Sequence, residues 1–272
     1  MKPTDKIACS LVITTYNSPD LLDLSIRSAL RQSQLPCEII VADDGSTSDT
    51  AMLVDTFRAG ALIPIVHVWQ EDKGFRAAAA RNRAIAEATG DYIVIVDGDM
   101  LLHRDFIKDH KLLALEGTFI QGSRVWLSRE NTRRRLAGKK IALSIFENGL
   151  ENRKNALHFP LLSKLLAFKN SSLTGIKSCN MSFFRHDCVR VNGFNEDFTG
   201  WGREDSEFVV RLINSGILRR TIWFSAIASH LWHPENKNCS LTANDRLLQQ
   251  AVDRKLTSCR NGIVKYLVKR SL

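Results

Sequence analysis

Two aspartates separated by one glycine, Asp97-Gly98-Asp99, directly follow the apolar run Tyr92-Ile93-Val94-Ile95-Val96. Carboxylates this close repel one another and lose solvation unless positive charge lies between them. A divalent cation that also holds a diphosphate supplies that charge, and carboxylate and phosphate oxygens suit Mg2+ or Mn2+. Alone, the fragment reads equally well as an acidic turn after a strand, because Asp and Gly are ordinary turn residues. A second acidic pair, Glu204-Asp205, follows Gly200-Trp201-Gly202-Arg203. A helix dipole favours acids at its start, which accounts for the carboxylates but leaves the Gly-Trp-Gly unexplained. Two histidines lie in Ser229-His230-Leu231-Trp232-His233-Pro234-Glu235-Asn236-Lys237-Asn238. Lys73, Arg76 and Arg81 place cations near a helix start that itself favours phosphate. For Lys73 and Arg76 a solvated helix face is an equal reading.

The elements that must position these groups alternate. Strand-like runs cover Cys9–Thr14, Glu38–Ala42, Ile63–Trp69 and Tyr92–Val96. Helical patterns lie between them: Ser18–Gln32, with Ser18 as cap and Pro19 in the first turn, then Ser48–Arg58, then Gly74–Thr89, stopped by Gly90. Strand–helix alternation predicts an α/β fold with a parallel sheet, and such sheets take ligands at the carboxyl ends of their strands. The absence of G-x-G-x-x-G after the first strand leaves dinucleotide binding unsupported. Further on, the pattern predicts a helix over Arg104–Leu115, a strand over Thr118–Val125, and apolar–basic helices over Lys140–Asn148 and Leu157–Lys169. Glu204-Asp205 opens a helix continuing to Asn214.

The strand ends carry the chemistry of a nucleotide pocket. Thr14-Thr15-Tyr16-Asn17 and Asp43-Asp44-Gly45-Ser46 follow adjacent strands. Tyr16 offers an aromatic face to a pyrimidine, and Asp44 can accept the imide N–H of uracil. These segments, with Lys73-Gly74-Phe75-Arg76-Ala77-Ala78-Ala79-Ala80-Arg81-Asn82 and Asp97-Gly98-Asp99 in that order, resemble the family 2 glycosyltransferases and their GT-A fold. Gly200-Trp201-Gly202-Arg203-Glu204-Asp205-Ser206-Glu207 is similar to the W-G-x-E-D motif of the β-1,4-galactosyltransferases and of bacterial chondroitin polymerase modules. The resemblance runs from about Ser10 to Arg246.

The resemblance implies an inverting, metal-dependent transferase. Its UDP-sugar donor would sit on Thr14, Tyr16, Asp44, Arg81, Asp97, Asn180 and Trp201, with Arg81 beside the pyrophosphate. Asn180 and Ser182 would line the donor-sugar pocket. Mn2+ or Mg2+ would be held by Asp99 directly and by His233, with His230 in reserve, while Asp97 would contact the ribose or donor sugar, or the metal through water; a histidine ligand favours Mn2+. Asp205 would be the general base, facing the acceptor hydroxyl from the side opposite the leaving diphosphate, and Glu204 would hold donor sugar or acceptor hydroxyls. The expected organisation is a single catalytic domain over 1–246, with a nucleotide-sugar half (8–100) and an acceptor half (101–245), followed by a basic tail (246–272). The acceptor would be a bacterial surface glycan such as lipopolysaccharide or capsule, lipid-linked in one form of the reading, and the new bond a β-linkage.

Composition bounds these expectations. The chain has 272 residues, is 44% hydrophobic and carries a net charge of +9. The basic excess concentrates in Arg129–Lys177 and Arg246–Arg270. No nucleic-acid motif accompanies it, so nucleic acid is not an expected partner. The tail, with Ile263, Val264, Tyr266, Leu267 and Val268 among basic residues, could lie on an anionic membrane or pack by one face. No apolar stretch reaches membrane-spanning length, no secretory signal is evident, and six scattered cysteines read as reduced thiols. A cytoplasmic location, peripheral on the inner membrane face in one form, is the expectation. The competing classes are a nucleotidyltransferase, which lacks its glycine-rich loop here, and a non-catalytic glycan- or membrane-binding protein.

Overall fold

The computed structural model describes residues 7–234 and 241–267. The first half is β1 (Cys9–Thr15), α1 (Pro19–Leu30), β2 (Glu38–Asp43), α2 (Ser48–Arg58), β3 (Ile65–Trp69), α3 (Ala77–Glu87) and β4 (Tyr92–Asp97). The second continues with β5 (Met100–Leu102), α4 (Phe106–Leu113), β6 (Thr118–Gln121), β7 (Arg124–Leu127), α5 (Arg129–Gly138), β8 (Leu150–Glu151), α6 (Pro160–Leu166), β9 (Phe168–Asn170), β10 (Asn180–Phe184), α7 (Arg185–Arg190) and α8 (Glu204–Asn214). It closes with β11 (Leu218–Thr221), β12 (Ala228–His230), α9 (Leu241–Asp253) and α10 (Val264–Leu267).

Eight strands form one sheet in the order β3-β2-β1-β4-β10-β6-β11-β9, and β5-β12-β7-β8 form a second. β1 to β4 are mutually parallel, and β10 enters antiparallel between β4 and β6. The unbroken apolar character of β1, β2 and β4 follows from cover on both faces. Leu11, Ile13, Val94 and Val96 pack with Leu22, Ile26 and Phe106 on one side. Val12, Ile40, Ile93 and Ile95 pack with Ala80, Ile85 and Phe208 on the other.

Several local expectations change. Gly90 does not cap a helix, since α3 ends at Glu87; it is required by close approach, because a Cβ there would lie 2.7 Å from the Ser10 nitrogen. Ser18 occupies the cap position of α1 but turns its hydroxyl to the Tyr16 carbonyl instead of a helix N–H. The strand expected over Thr118–Val125 is two strands in two sheets. The chain crosses between them at Gly122, where a Cβ would come within 2.3 Å of the Asn180 amide. Lys140–Asn148 is not helical. Lys139 terminates α5 in the left-handed region, and the Arg135 guanidinium takes the Lys140 and Ala142 carbonyls that a helix would need. Of the helix expected over Leu157–Lys169 only Pro160–Leu166 forms, and the chain then runs into β9, paired with β11.

The described part of the segment after Arg246, residues 247–267, packs against the body of the fold. Ile263 is fully buried in the core, with Tyr266 and Leu267 packed beside it, so these apolar side chains are not offered to a membrane. Val268 and Arg270 lie outside the described residues. No helix among the described residues is long and apolar enough to cross a membrane. Five of the cysteines are free thiols, with Cys9, Cys179 and Cys188 buried, and Cys239 lies outside the described residues.

Candidate active site

β1 and β4 pair in parallel with Thr14 opposite Asp97, so both side chains emerge at one end of the sheet. Arg81, on α3, reaches that end almost fully buried. Its guanidinium lies 3.0 Å from the Glu204 carboxylate and 3.6 Å from that of Asp97, and its Nε donates to the Thr14 hydroxyl at 3.3 Å. Three elements far apart in sequence therefore converge on one permanent cation. Burial would penalise the Arg81 charge, but Glu204, Asp97 and Asp205 together hold it firmly protonated.

Asp205 follows at the start of α8. Its carboxylate accepts from the Ser206 N–H at 2.6 Å. Burial, and then the charge of Glu204, push its carboxyl up to about 6 against the pull of Arg81. α8 is fastened by a fully buried pair, in which Arg211 donates to both Glu207 oxygens at 2.8 and 2.7 Å. The loop ahead of α8 takes left-handed backbone at Gly200, Gly202 and Arg203, with φ of 71°, 105° and 77°. Glycine adopts that region freely, whereas arginine does so at a cost of about 1 kcal/mol or more. Half-exposed Trp201 stands on this loop.

Asp99 forms a different cluster. β5 and β12 pair antiparallel, and the Leu231 N–H donates to the Asp99 carbonyl at 2.8 Å. This brings His230 Nε2 and His233 Nε2 to 3.3 and 2.9 Å from one Asp99 oxygen. Burial would raise Asp99, but the two imidazoles outweigh it and hold the carboxyl well below the usual range. Asp97 moves the opposite way, raised by burial and then by the charge of Asp99. Its carboxylate stands outside the group formed by Asp99, His230 and His233, leaning instead toward Arg81.

The cluster fits a divalent cation. The second Asp99 oxygen is buried without a hydrogen-bond partner, as is His230 Nδ1. His233 Nδ1 lies 3.0 Å from the Pro234 carbonyl; with Nδ1 donating there, Nε2 donates to Asp99 only in the doubly protonated ring and is an acceptor, the form that ligates a metal, in the neutral one. A cation makes that contact favourable. Adjacent ligands of an octahedral ion with bonds of about 2.1 Å are about 3 Å apart, and the Asp99 oxygen lies 3.3 and 2.9 Å from the two imidazole nitrogens. His230 is backed by the Trp126 ring at 4.5 Å, over which Arg124 stacks at 4.0 Å. The polar stretch 235–238 lies outside the described residues.

The base end is also assembled. Asp44 is buried, raised by burial, and held by the Gln70 amide at 2.5 Å and the Arg76 backbone N–H at 2.7 Å. Tyr16 is half exposed and donates to Asp72 at 2.8 Å. Asp72 also lies directly against Gly45, which has no room for a side chain. Lys73 pairs with Glu71 on the surface.

Asn180 opens β10. It is fully buried, its amide donating to the Ser123 and Ala226 carbonyls at 2.9 and 2.8 Å while its oxygen meets His110 Nε2 at 3.1 Å. Ser182 is likewise taken up by Tyr92 and His110. Both hold β10 in place, with His110 kept neutral by burial. Residues absent from the sequence reading also enter. Gln70 directly follows β3 and reaches Asp44, and the strand-end rule applied to that strand would have found it. Asn244, buried on α9, donates to the Thr199 and Gly202 carbonyls and so ties down the Trp201 loop. Nothing in local sequence marks it.

The comparisons agree with this architecture. Residues 163–227, including the Trp201 loop and Asp205, match the N-terminal domain of galactosyltransferase. Chondroitin synthase of Escherichia coli is 28% identical over 84% of this chain, which spans 35% of that protein. Validoxylamine A glucosyltransferase of Streptomyces hygroscopicus subsp. limoneus is 27% identical over 89% of the chain and 56% of its own length. Among solved structures, a Pyrobaculum calidifontis mannosyltransferase in complex with GDP-Man and Mn2+ superposes with a TM-score of 0.58 at 21% identity, covering 85% of this chain and 58% of its own. S. aureus TarS 1-349 gives 0.61 at 14%, covering 96% and 68%. Residues 10–189 match the model of glycosyl transferase family 2, and the chain, a glycosyltransferase, belongs to that family.

Proposed function

We propose that this glycosyltransferase moves a hexose or N-acetylhexosamine from a UDP-sugar to a hydroxyl of a bacterial surface glycan, with inversion to a β-linkage. The acceptor is a lipopolysaccharide, capsule or related lipid-linked oligosaccharide, met in the cytoplasm at the inner membrane face. The chain acts as one catalytic domain, with residues 8–100 binding the donor and 101–245 the acceptor. The convergence of Thr14, Asp97 and Glu204 on buried Arg81, beside the Asp99–His230–His233 cluster, carries the reading.

In this proposal Asp205 accepts the proton of the acceptor hydroxyl as its oxygen attacks the anomeric carbon. Glu204 hydrogen-bonds sugar hydroxyls while Arg81 holds it in place. Trp201 supplies a flat apolar wall to a sugar face. Tyr16 stacks on the base and Asp44 reads its imide edge, reached by displacement of the Tyr16–Asp72 contact. Asp99 and His233, with His230 adjacent, would hold Mn2+ or Mg2+, and Asp97 would meet the ribose or the ion through water. When bound, the ion neutralises charge growing on the departing diphosphate.

Calorimetric titration of UDP, CDP and GDP, each with and without Mn2+, tests the donor. Metal-dependent binding of UDP alone is the expected result. A preference for GDP, the nucleotide of the mannosyltransferase complex, would overturn the uridine assignment. Equal or absent binding of all three would overturn the pocket itself.

A further inference from the structure

We infer that α6 and the adjoining β9 edge form a docking surface for bilayers with anionic headgroups, an inference that goes beyond the transfer reaction. α6 is inside out. Its serine, Ser163, is fully buried, whereas Leu161 and Leu165, one turn apart, are 83% and 80% exposed. Leu162 and Leu166 are also exposed. A surface helix of a soluble protein ordinarily turns such a stripe inward. The apolar surface continues on both sides. Phe168 of β9 is exposed and meets exposed Trp223 at 5.6 Å between ring centroids, while exposed Phe159 contacts Phe224 at 6.0 Å. β9 is the outermost strand of the large sheet, paired with β11. Contiguous apolar area of this kind marks an interaction site.

Charge selects the partner. No Asp or Glu occurs between Asn152 and His186, or between Phe208 and Pro234, the two stretches that build this edge. The first supplies exposed Arg153, Lys154, Lys164, Lys169 and Lys177. A second copy of the chain would bring the same cations against themselves, which disfavours self-association. An anionic bilayer offers both complements, negative headgroups for the lysines and an acyl boundary for leucine, with tryptophan and phenylalanine at the interface level. The contact lies in α6 rather than in the C-terminal segment, whose Ile263, Tyr266 and Leu267 are occupied in the core.

Co-sedimentation of the full chain with vesicles tests this. Wild-type protein is expected to bind phosphatidylcholine–phosphatidylglycerol vesicles and to bind phosphatidylcholine vesicles far more weakly. The Leu161→Glu/Leu165→Glu variant should lose at least about tenfold in partition, since exposed aliphatic groups supply the insertion. Lys164→Glu/Lys169→Glu should lose about fivefold per lysine on anionic vesicles only. Leu62→Glu, at a highly exposed position after α2, should bind as wild type does. Equal partition of wild type and the leucine variant, at matched melting temperature, would overturn the inference. A wild-type dimer in solution that the leucine variant disperses would overturn it too, making the patch a protein interface. UDP affinity on the same samples separates the two claims: binding of UDP without vesicles sinks only the docking surface, and vesicles without UDP only the donor assignment.

Discussion

Around Asp99 one carboxylate faces two imidazoles; around Arg81 three carboxylates face one guanidinium. The two regions lie at neighbouring strand ends yet solve opposite problems. At Arg81 the cation is covalent and permanent, so Thr14, Asp97 and Glu204 are held whether or not a donor is bound. At Asp99 the acceptor atoms outnumber the fixed charge, and buried acceptors such as Asp99 Oδ1 are left without a protein donor. One region is preorganised by the chain, and the other asks for an ion.

The largest test of the comparison falls on Asp205, which Arg81 influences but does not bind directly. Asp205→Asn should lower kcat by about 1,000-fold or more, as expected for loss of a general base, with UDP affinity within about twofold of wild type. Initial rates and calorimetry on the same preparation check this. Because the Asp205 carboxyl is pushed up to about 6 by burial and by Glu204, the reactive anion grows in as pH rises, and the wild-type rate should climb through about pH 6. The stability effect has the opposite sign. A folded value above the unfolded 3.8 favours folding at low pH, and that contribution fades as pH rises from about 4 through 6. Asp205→Asn should therefore melt higher than wild type at pH 8, with the difference vanishing toward pH 4. A variant that keeps the acid limb, or that melts lower, breaks the assignment.

A crossed pair of substitutions separates the two regions directly. Arg81→Met removes the counter-charge of buried carboxylates and should cost about 3 kcal/mol in urea denaturation. Asp99→Asn or His233→Ala should cost less stability than Arg81→Met in the same denaturation and raise the Mn2+ concentration for half-maximal binding by about 10- to 100-fold. The reverse pattern would mean that the labels of the two clusters are exchanged.

The smallest effect sharpens the role of the Trp201 loop. Asn244→Ala deletes two hydrogen bonds to the loop carbonyls and should cost about 1 kcal/mol of stability. KM should rise a few-fold while metal affinity stays at the wild-type value. Unchanged KM would mean that the loop holds its shape without α9.

Much of the first half was legible because its signals are local. β1, β2 and β4 are short apolar runs with candidate site residues at their carboxyl ends, and α2 occupies the predicted span. The second half was less so. The Lys140–Asn148 helix is defeated by a side chain from an earlier helix, Arg135, which takes its carbonyls. The Thr118–Val125 strand is split by a contact with Asn180, distant in sequence. Asn180 itself sits in a motif whose residue types suit a sugar pocket, and only its burial beside His110 reveals a packing role.

Local sequence is enough to mark the candidate reactive groups: the spaced aspartates, the tryptophan loop before Glu204-Asp205, the paired histidines and the strand-end Tyr16 and Asp44. Residue type and spacing along one chain segment carry that information. Tertiary structure alone decided which groups meet. It set Glu204 against Arg81, more than a hundred residues earlier, and turned both His230 and His233 toward Asp99. It also packed Ile263, Tyr266 and Leu267 against the core while leaving Val264 and the leucines of α6 exposed. Pairing across a sheet and burial between layers depend on long-range register, which no local pattern encodes.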